Sequence, residues 1–502
     1  MKKIVLTTLN SRYTHTSIGL RYLYANLKEL QDDAIVLEFT INDNAQRIAE
    51  KILERKPEIV GIGVYIWNAS VIHELIEIIK KVSPDTKVVL GGPEVSYLPL
   101  RVNFDRADFI IQGEGDLTFY TLCKAILSDQ VPEERIMKPQ MPDLAEIVLP
   151  YAYYSDADIK NRYIYVEASR GCPFSCEFCL SSIDEKVRNF NLENLLEEFE
   201  RLWQRGVRNF KFIDRTFNLN MKFANTLLDF FLSKEPPYFA HFEVIPDHFP
   251  DTIKKKIAQF PPGSLQLEIG IQTLDPEIAN NISRPLKLEK IKENIAFLET
   301  KTDAHMHLDL IVGLPGETLE GFGRNLDELC SLTRSEIQIG ILKKLSGTAL
   351  SRHDEIYGMI YSDKPPYDIL KNDLISFLQI QKMKRFARFW DLVYNSGNFK
   401  QSVSLLWRDG KVFKGFYAFS EWAYAQTQST WKISLDRLSE LMFNYLGTVY
   451  GREPSLVAAM MIEDIMKIKG RSVPHFLKGY TASVSTLTTK ELTGFNKRQA
   501  KY

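Results

Sequence analysis

The chain has 502 residues, 45% hydrophobic and 25% charged, and its 63 Lys and Arg against 64 Asp and Glu leave a net charge of −1. That length exceeds one ordinary core and predicts two or three domains, while the balanced charge excludes the broadly basic surface of most nucleic-acid binders. The opening apolar run, Ile4-Val5-Leu6, is too short for a signal peptide, and no later run approaches membrane-spanning length, so a cytoplasmic protein without a membrane partner is expected.

Residues 1–130 alternate strands and helices. Apolar strands are expected at 3–8, 34–39, 59–65, 87–90 and 108–112, and helices at 18–30, 45–55, 71–82 and 117–127. Continuous apolar strands between helices predict an α/β domain whose parallel sheet is covered on both faces. The flavodoxin/Rossmann-like order suits five such strands and binds ligands at their carboxyl ends. Residues 131–160 hold Pro132, Pro139, Pro142 and Pro150 and read as a linker along the surface. A second α/β series fills 161–348, with strands at 163–169, 209–214, 240–245, 264–272, 305–313 and 335–342. Six βα units are too few for an eight-stranded barrel and enough for an open, partial (β/α)6 one. Beyond, 349–502 shows no strand pattern. Helical spacing at 370–392 and 435–445 predicts a mostly helical third domain, with Trp390, Trp407, Trp422 and Trp431 packing against the barrel. The Ser/Thr/Lys-rich close, from about Thr481, is expected to be poorly ordered.

The chemistry is concentrated in Ser169-Arg170-Gly171-Cys172-Pro173-Phe174-Ser175-Cys176-Glu177-Phe178-Cys179, just after the first strand of the second series. Its C-x3-C-x2-C spacing converges three thiolates from one loop. Three cysteines on a four-iron cluster leave one iron open and reactive. A structural zinc site is the alternative; it needs a fourth ligand, to be found only in Cys123, Cys330 or a distant histidine such as His241 or His307.

The stretch 161–345 resembles the radical S-adenosylmethionine (SAM) superfamily. The resemblance implies a [4Fe-4S] cluster on Cys172, Cys176 and Cys179, SAM chelated to the open iron, and its reductive cleavage to a 5′-deoxyadenosyl radical. It also implies a reductant such as flavodoxin or ferredoxin. The family's aromatic residue before the third cysteine is Phe178. Asp214 and Arg215, in Phe212-Ile213-Asp214-Arg215-Thr216, occupy the place of its methionine-contacting motif. Glu268, in Leu267-Glu268-Ile269-Gly270-Ile271-Gln272, matches its fourth-strand motif, and Arg284 matches an arginine that pairs with the SAM carboxylate. Gly313, in Asp309-Leu310-Ile311-Val312-Gly313-Leu314-Pro315-Gly316-Glu317, matches the fifth-strand stretch near adenine.

In the first domain no G-x-G-x-x-G follows the first strand, which argues against a dinucleotide. The strand-end loops are instead Asn10-Ser-Arg-Tyr-Thr-His-Thr-Ser17, Tyr65-Ile-Trp-Asn-Ala-Ser70, Gly91-Gly-Pro-Glu-Val-Ser-Tyr97 and Gly113-Glu-Gly-Asp116. Ahead of a C-x3-C-x2-C loop, this layout resembles the cobalamin-binding radical SAM class. The resemblance implies corrinoid contacts from Thr14, His15, Tyr65, Asn68, Gly91, Gly92, Glu94, Gly113 and Glu114. The D-x-H-x-x-G pattern of many cobalamin domains is broken by Tyr13 and Ile18, so base-off cobalamin without His15 as axial ligand is expected. Methylation of an unactivated centre of an unknown substrate is the leading function. An oxidative cyclase or rearrangement enzyme and a non-catalytic corrinoid sensor or carrier are the alternatives.

Overall fold

The computed structural model describes residues 3–468 and 470–486; the close expected to lack order lies mostly outside them. β1 (Ile4–Asn10) is buried along its whole length and pairs in parallel with β2 (Ala34–Thr40) and β3 (Ile59–Gly63). β4 (Lys87–Gly91) and β5 (Phe109–Ile111) extend the sheet and β6 (Ile136–Met137) ends it, in the order β2-β1-β3-β4-β5-β6. The first five strands keep the expected flavodoxin-like order. The sixth comes from the segment expected to be only a linker, where Arg135 binds the Phe104 and Ala107 carbonyls beside β5. α2 (Ala45–Leu53) and α3 (Ala69–Val82) cover one face, and α1 (Ile18–Ala25) and α4 (Asp116–Leu127) cover the other. The helix expected over 18–30 stops at Ala25. There the Asn26 amide caps the Tyr22 carbonyl and bridges to Val148, and Lys28 takes a positive φ.

α5 (Asp156–Asn161), started by a Ser155 capping box, leads into the second series. β7 (Ile164–Val166) is followed by β8 (Ser169–Arg170), which pairs antiparallel with β9 (Arg188–Asn189). The single strand expected over 163–169 is thus broken, because the Asp214 carboxylate takes the Ala168 N–H and the Ser169 hydroxyl. Then come α6 (Leu192–Gln204), β10 (Asn209–Phe212), α7 (Met221–Leu232), β11 (Phe239–Val244), α8 (Asp251–Ile257) and β12 (Leu265–Gln272). α9 (Pro276–Asn281), α10 (Leu288–Lys301), β13 (His305–Val312), α11 (Leu319–Leu332) and β14 (Glu336–Ile341) complete the series. The six parallel strands run β14-β13-β12-β11-β10-β7, and β7 does not meet β14, so the barrel is open. Polar caps start four of its helices, α6, α7, α9 and α11: Asn191, Asn220, Asp275 and Thr318 each accept a first-turn N–H.

The C-terminal part is mostly helical, as expected: α12 (Phe377–Trp390), α13 (Val412–Thr427), α14 (Leu435–Asn444) and α15 (Pro454–Met466). It is not strand-free. β15 (Ile360–Tyr361) and β16 (Ile369–Lys371) form a short antiparallel pair, and an Asn372 side-chain turn separates β16 from the helix expected to begin there. Trp390 is fully buried and donates to the Ile337 carbonyl of β14, whereas Trp431 is exposed, with the Arg388 guanidinium over its ring. One continuous core joins barrel and C-terminal helices; the first sheet has a separate core on each face.

Candidate active site

The cysteine loop is set by backbone geometry. Gly171 has φ +89°, and a Cβ there would lie 2.4 Å from the Lys186 carbonyl oxygen, so only glycine lets the loop close on its own hairpin. The Cys172 N–H donates to the Asp184 carbonyl (2.9 Å), and Ser182 Oγ donates to the Cys176 and Cys179 carbonyls (2.9 and 2.6 Å). All three cysteines are free thiols, two of them buried. Buried Glu177 anchors the loop from behind through Ser283, Arg352 and His353 Nε2, the last at 2.8 Å. Arg284 donates from Nη1 to Cys176 Sγ (3.3 Å) and from Nη2 to the Gly270 carbonyl, and its buried Nε has no partner among the described residues. Burial and the neighbouring thiols push the Cys172 thiol up, while the Phe174 N–H and Arg284 work against them. Three thiols in one loop suit a metal core bound by thiolates, whose negative charge the Arg284 guanidinium offsets, and the orphaned Nε suits a carboxylate ligand.

Strand alternation carries a polar wall into the barrel. Glu243 on β11 faces Glu268 on β12, which faces His307 on β13, and Asp309 follows two residues on. One ligand atom each from Glu268, His307 and Asp309 lie within 4.8 Å of one another. Burial would raise the Glu268 carboxyl, but the His241 hydrogen bond (2.8 Å) and the His241, His307 and Lys211 charges hold it down at about 2. Asp309 goes the other way: burial and the Glu268 and Glu243 charges push it well above the carboxylate range. Arg215 makes a two-pronged pair with Glu243 (2.7 and 2.9 Å). Asp214 is spent on Ala168 and Ser169 rather than directed into the barrel space. Phe178 packs against the barrel core. At Gly313 (φ +91°) an added Cβ would meet Ile369 at 2.9 Å, so this glycine lets the C-terminal part approach β13. Sequence reading passed over Glu243, His307 and Asp309 as a group. Their signal was the every-second polar residue in Phe239-Ala-His-Phe-Glu-Val244 and His305-Met-His-Leu-Asp309.

At the strand ends of the first sheet the expected residues divide. Asn68 is wholly buried and engaged, accepting from the Tyr65 N–H and donating to Thr8, Leu9 and Gly63. A Cβ at Gly92 would strike the Val64 carbonyl at 2.6 Å, whereas at Gly113 it would meet nothing within 4 Å and at Gly91 only the Ile111 oxygen at 3.8 Å. Tyr65 stacks on Trp67 (centroids 4.5 Å apart), and Trp67, 46% exposed, was not among the residues expected. Open backbone beside an exposed aromatic step leaves room for a flat, bulky ligand. Glu94 is buried and takes its hydrogen bond from Tyr367 of the C-terminal part. Thr14 is exposed, and its carbonyl accepts from the Tyr163 N–H. His15 Nδ1 lies 2.6 Å from the Tyr165 hydroxyl of β7, and burial together with Lys211, Arg12 and Arg162 lowers its pKa. The Glu114 carboxylate is taken by Arg170 and Arg188 on either side of the cysteine loop.

Among the described residues no helix is long and apolar enough to cross a membrane. Three family models match separate stretches of the chain. The B12 binding domain matches residues 4–122, the Radical SAM superfamily 166–329, and a protein of unknown function family, DUF4080, 355–501. An uncharacterized methyltransferase of Pyrococcus horikoshii is 26% identical over 375 residues, 67% of this chain and 78% of that protein. TokK, a cobalamin-dependent radical SAM methyltransferase of Streptomyces tokunonensis, is 27% identical over 235 residues, 40% of this chain and 34% of its own length. Among solved structures, the cobalamin-dependent SAM radical enzyme OxsB shares the fold at a TM-score of 0.62 and 14% identity, over 97% of this chain and 82% of that one. The radical SAM methyltransferase TsrM of Kitasatospora setae matches at a TM-score of 0.55 and 18% identity, over 75% of this chain and 81% of that one. The chain therefore combines a B12 binding domain, a Radical SAM superfamily domain and, over 355–501, a DUF4080 domain, and the first two take cobalamin, SAM and a [4Fe-4S] cluster as cofactors.

Proposed function

We propose that this enzyme cleaves SAM reductively at its cluster and transfers a methyl group to an unactivated centre of its substrate. The observation that carries the reading is the placing of three free thiols in one loop, with the guanidinium of Arg284 behind it and the strand-end loops of the B12-binding domain at its side. Cys172, Cys176 and Cys179 would hold the cluster. Arg284 would meet the SAM carboxylate, a pairing suited to a planar guanidinium. Phe178, Glu268 and Gly313 line the SAM side in this reading, with Arg215 held by Glu243 and Asp214 bracing the loop's first strand. Tyr65, Gly91 and Gly113 would line the corrinoid, with Thr14, His15, Asn68, Gly92 and Glu94 shaping its loops. When bound, these groups supply a carbon-centred radical and a transferable methyl group.

The protein's own part is positioning and exclusion of water. The open barrel sets Glu268, whose carboxyl His241 holds down, beside Asp309, whose carboxyl burial pushes up, and these two carboxyls of unlike basicity would orient a polar ligand. The test is anaerobic. Cluster-reconstituted protein with cobalamin, a reductant and SAM carrying a deuterated methyl group is incubated with a small-molecule extract of cells lacking the protein. Products that gain the labelled methyl, and that vanish when Cys172, Cys176 and Cys179 are all changed to alanine, are expected. Products that lose hydrogen and carry no label would replace methyl transfer with oxidative cyclisation.

A further inference from the structure

Two arginines of the cysteine hairpin and one carboxylate of the B12-binding domain form a closed clamp. Arg170 immediately precedes Gly171-Cys172, and Arg188 is its register partner across β8 and β9. Arg170 Nη1 donates to Glu114 Oε2 (2.9 Å), and Arg188 donates to the same carboxylate from Nη1 (3.3 Å) and Nη2. The Arg170 fork also grips Asp116 (2.9 and 3.2 Å) and Glu167 (3.0 Å), and Arg188 reaches Asp184 (3.1 Å) and the Pro142 carbonyl (3.1 Å). Asp184 is the residue whose carbonyl receives the Cys172 N–H. The side chains are mostly buried, none of them more than 21% exposed.

Domain docking alone does not require this clamp. A separate buried network, Arg21 and Arg162 against Glu38 and Asp158, already fastens the first domain to the segment entering the barrel. What sets the clamp apart is its position. Glu114 sits between Gly113 and Gly115 at the end of β5, and its partners flank the loop that presents the thiols. Part-desolvated, charge-assisted pairs of this forked kind fix geometry as well as supplying energy.

We infer that Glu114 is a positioning residue that fixes the distance between the corrinoid loop and the cysteine loop, rather than a contact of the corrinoid. The inference rests on the pair of cofactors proposed above. Its test uses the full chain, reconstituted anaerobically with iron, sulfide and hydroxocobalamin and then reduced. Pulsed electron paramagnetic resonance reads the dipolar coupling, and hence the distance distribution, between cob(II)alamin and the reduced cluster. Wild type is expected to give one narrow distribution. Glu114→Gln and Arg188→Gln should each widen it at least about twofold, since such shells hold sites to about 0.5 Å, while iron and cobalamin contents stay at wild-type level. Glu29→Gln, which breaks an exposed pair with Lys124 elsewhere on the same domain, should leave it narrow. Should Glu114→Gln fail to fold, Arg188→Lys, which keeps the charge and loses the fork, carries the same expectation. A wild-type distribution in the clamp variants overturns the inference. So does loss of cobalamin from Glu114→Gln with retention in Arg188→Gln, which would make Glu114 a corrinoid contact. Wild-type protein that takes up iron but no cobalamin overturns the proposed function, and the inference with it.

Discussion

Asp214 shows how one side chain can serve the fold at a standing cost. It is 4% exposed and accepts the Ala168 N–H (3.0 Å) and the Ser169 hydroxyl (2.6 Å). Burial pushes its carboxyl up to about 7, the hydrogen bonds hold it back, and the Glu167 charge adds to the rise. The unfolded chain releases this proton near pH 4, so the folded state holds a proton the unfolded state has lost. Stability from this group is therefore full below about pH 4 and falls as pH rises to about 7, by about 4 kcal/mol for a shift of about three pKa units. Asp214→Asn keeps an oxygen for the Ala168 N–H and removes the titration. Urea unfolding of the metal-free protein from pH 4 to 8 should show a flatter pH dependence in the variant, which becomes the more stable of the two at pH 8. Parallel profiles for the two proteins would refute the assignment.

A loop's worth of backbone is decided at Gly171. Its φ of +89° and the Lys186 oxygen 2.4 Å from any added Cβ impose strain and a clash together. Gly171→Ala should open the β8–β9 hairpin, pull the Cys172 N–H off Asp184 and reduce iron uptake on reconstitution to a small fraction of wild type. Gly113→Ala is the contrast. Its φ is also positive, at +69°, but a Cβ there meets nothing, so it should cost only about 1–2 kcal/mol and leave iron uptake intact. Iron analysis of the two variants side by side checks this, and equal iron in both would show that the hairpin tolerates the side chain. Elements like this loop were largely legible in the sequence because their determinants are local. Cysteine spacing, a glycine before the first thiol and the polar caps at Asn191, Asn220, Asp275 and Thr318 all act within a few residues. The break after Val166 was not legible, because it depends on Asp214, 46 residues from Ala168.

For the whole molecule, the C-terminal helices and the barrel share one core, so they should unfold as one unit. Trp390 is the pin: fully buried, stacked on Tyr394 (4.2 Å) and Phe386 (5.7 Å), and bonded to the Ile337 carbonyl (2.9 Å). Trp390→Ala should cost about 3–5 kcal/mol. Hydrogen exchange should then rise in α12 and β14 together, and much less in β1 and β3, whose cores are separate. Loss of protection confined to α12 would show that the DUF4080 region folds independently of the barrel.

What the sequence by itself determined was the set of parts: apolar strand runs spaced by helices, a flavodoxin-like order, six βα units and the thiol loop of Cys172, Cys176 and Cys179. These follow from periodicity and short-range spacing, which the chain carries locally. Tertiary structure alone decided what each polar side chain faces. Glu94 meets Tyr367, His15 meets Tyr165 and Glu114 meets Arg188, pairs separated by 273, 150 and 74 residues. A carboxylate at a strand end reads the same in sequence whether it meets a ligand or an arginine of the next domain. Only the docking of the domains brings the guanidinium within hydrogen-bonding distance, and over so few ångströms that distance decides which partner the charge takes.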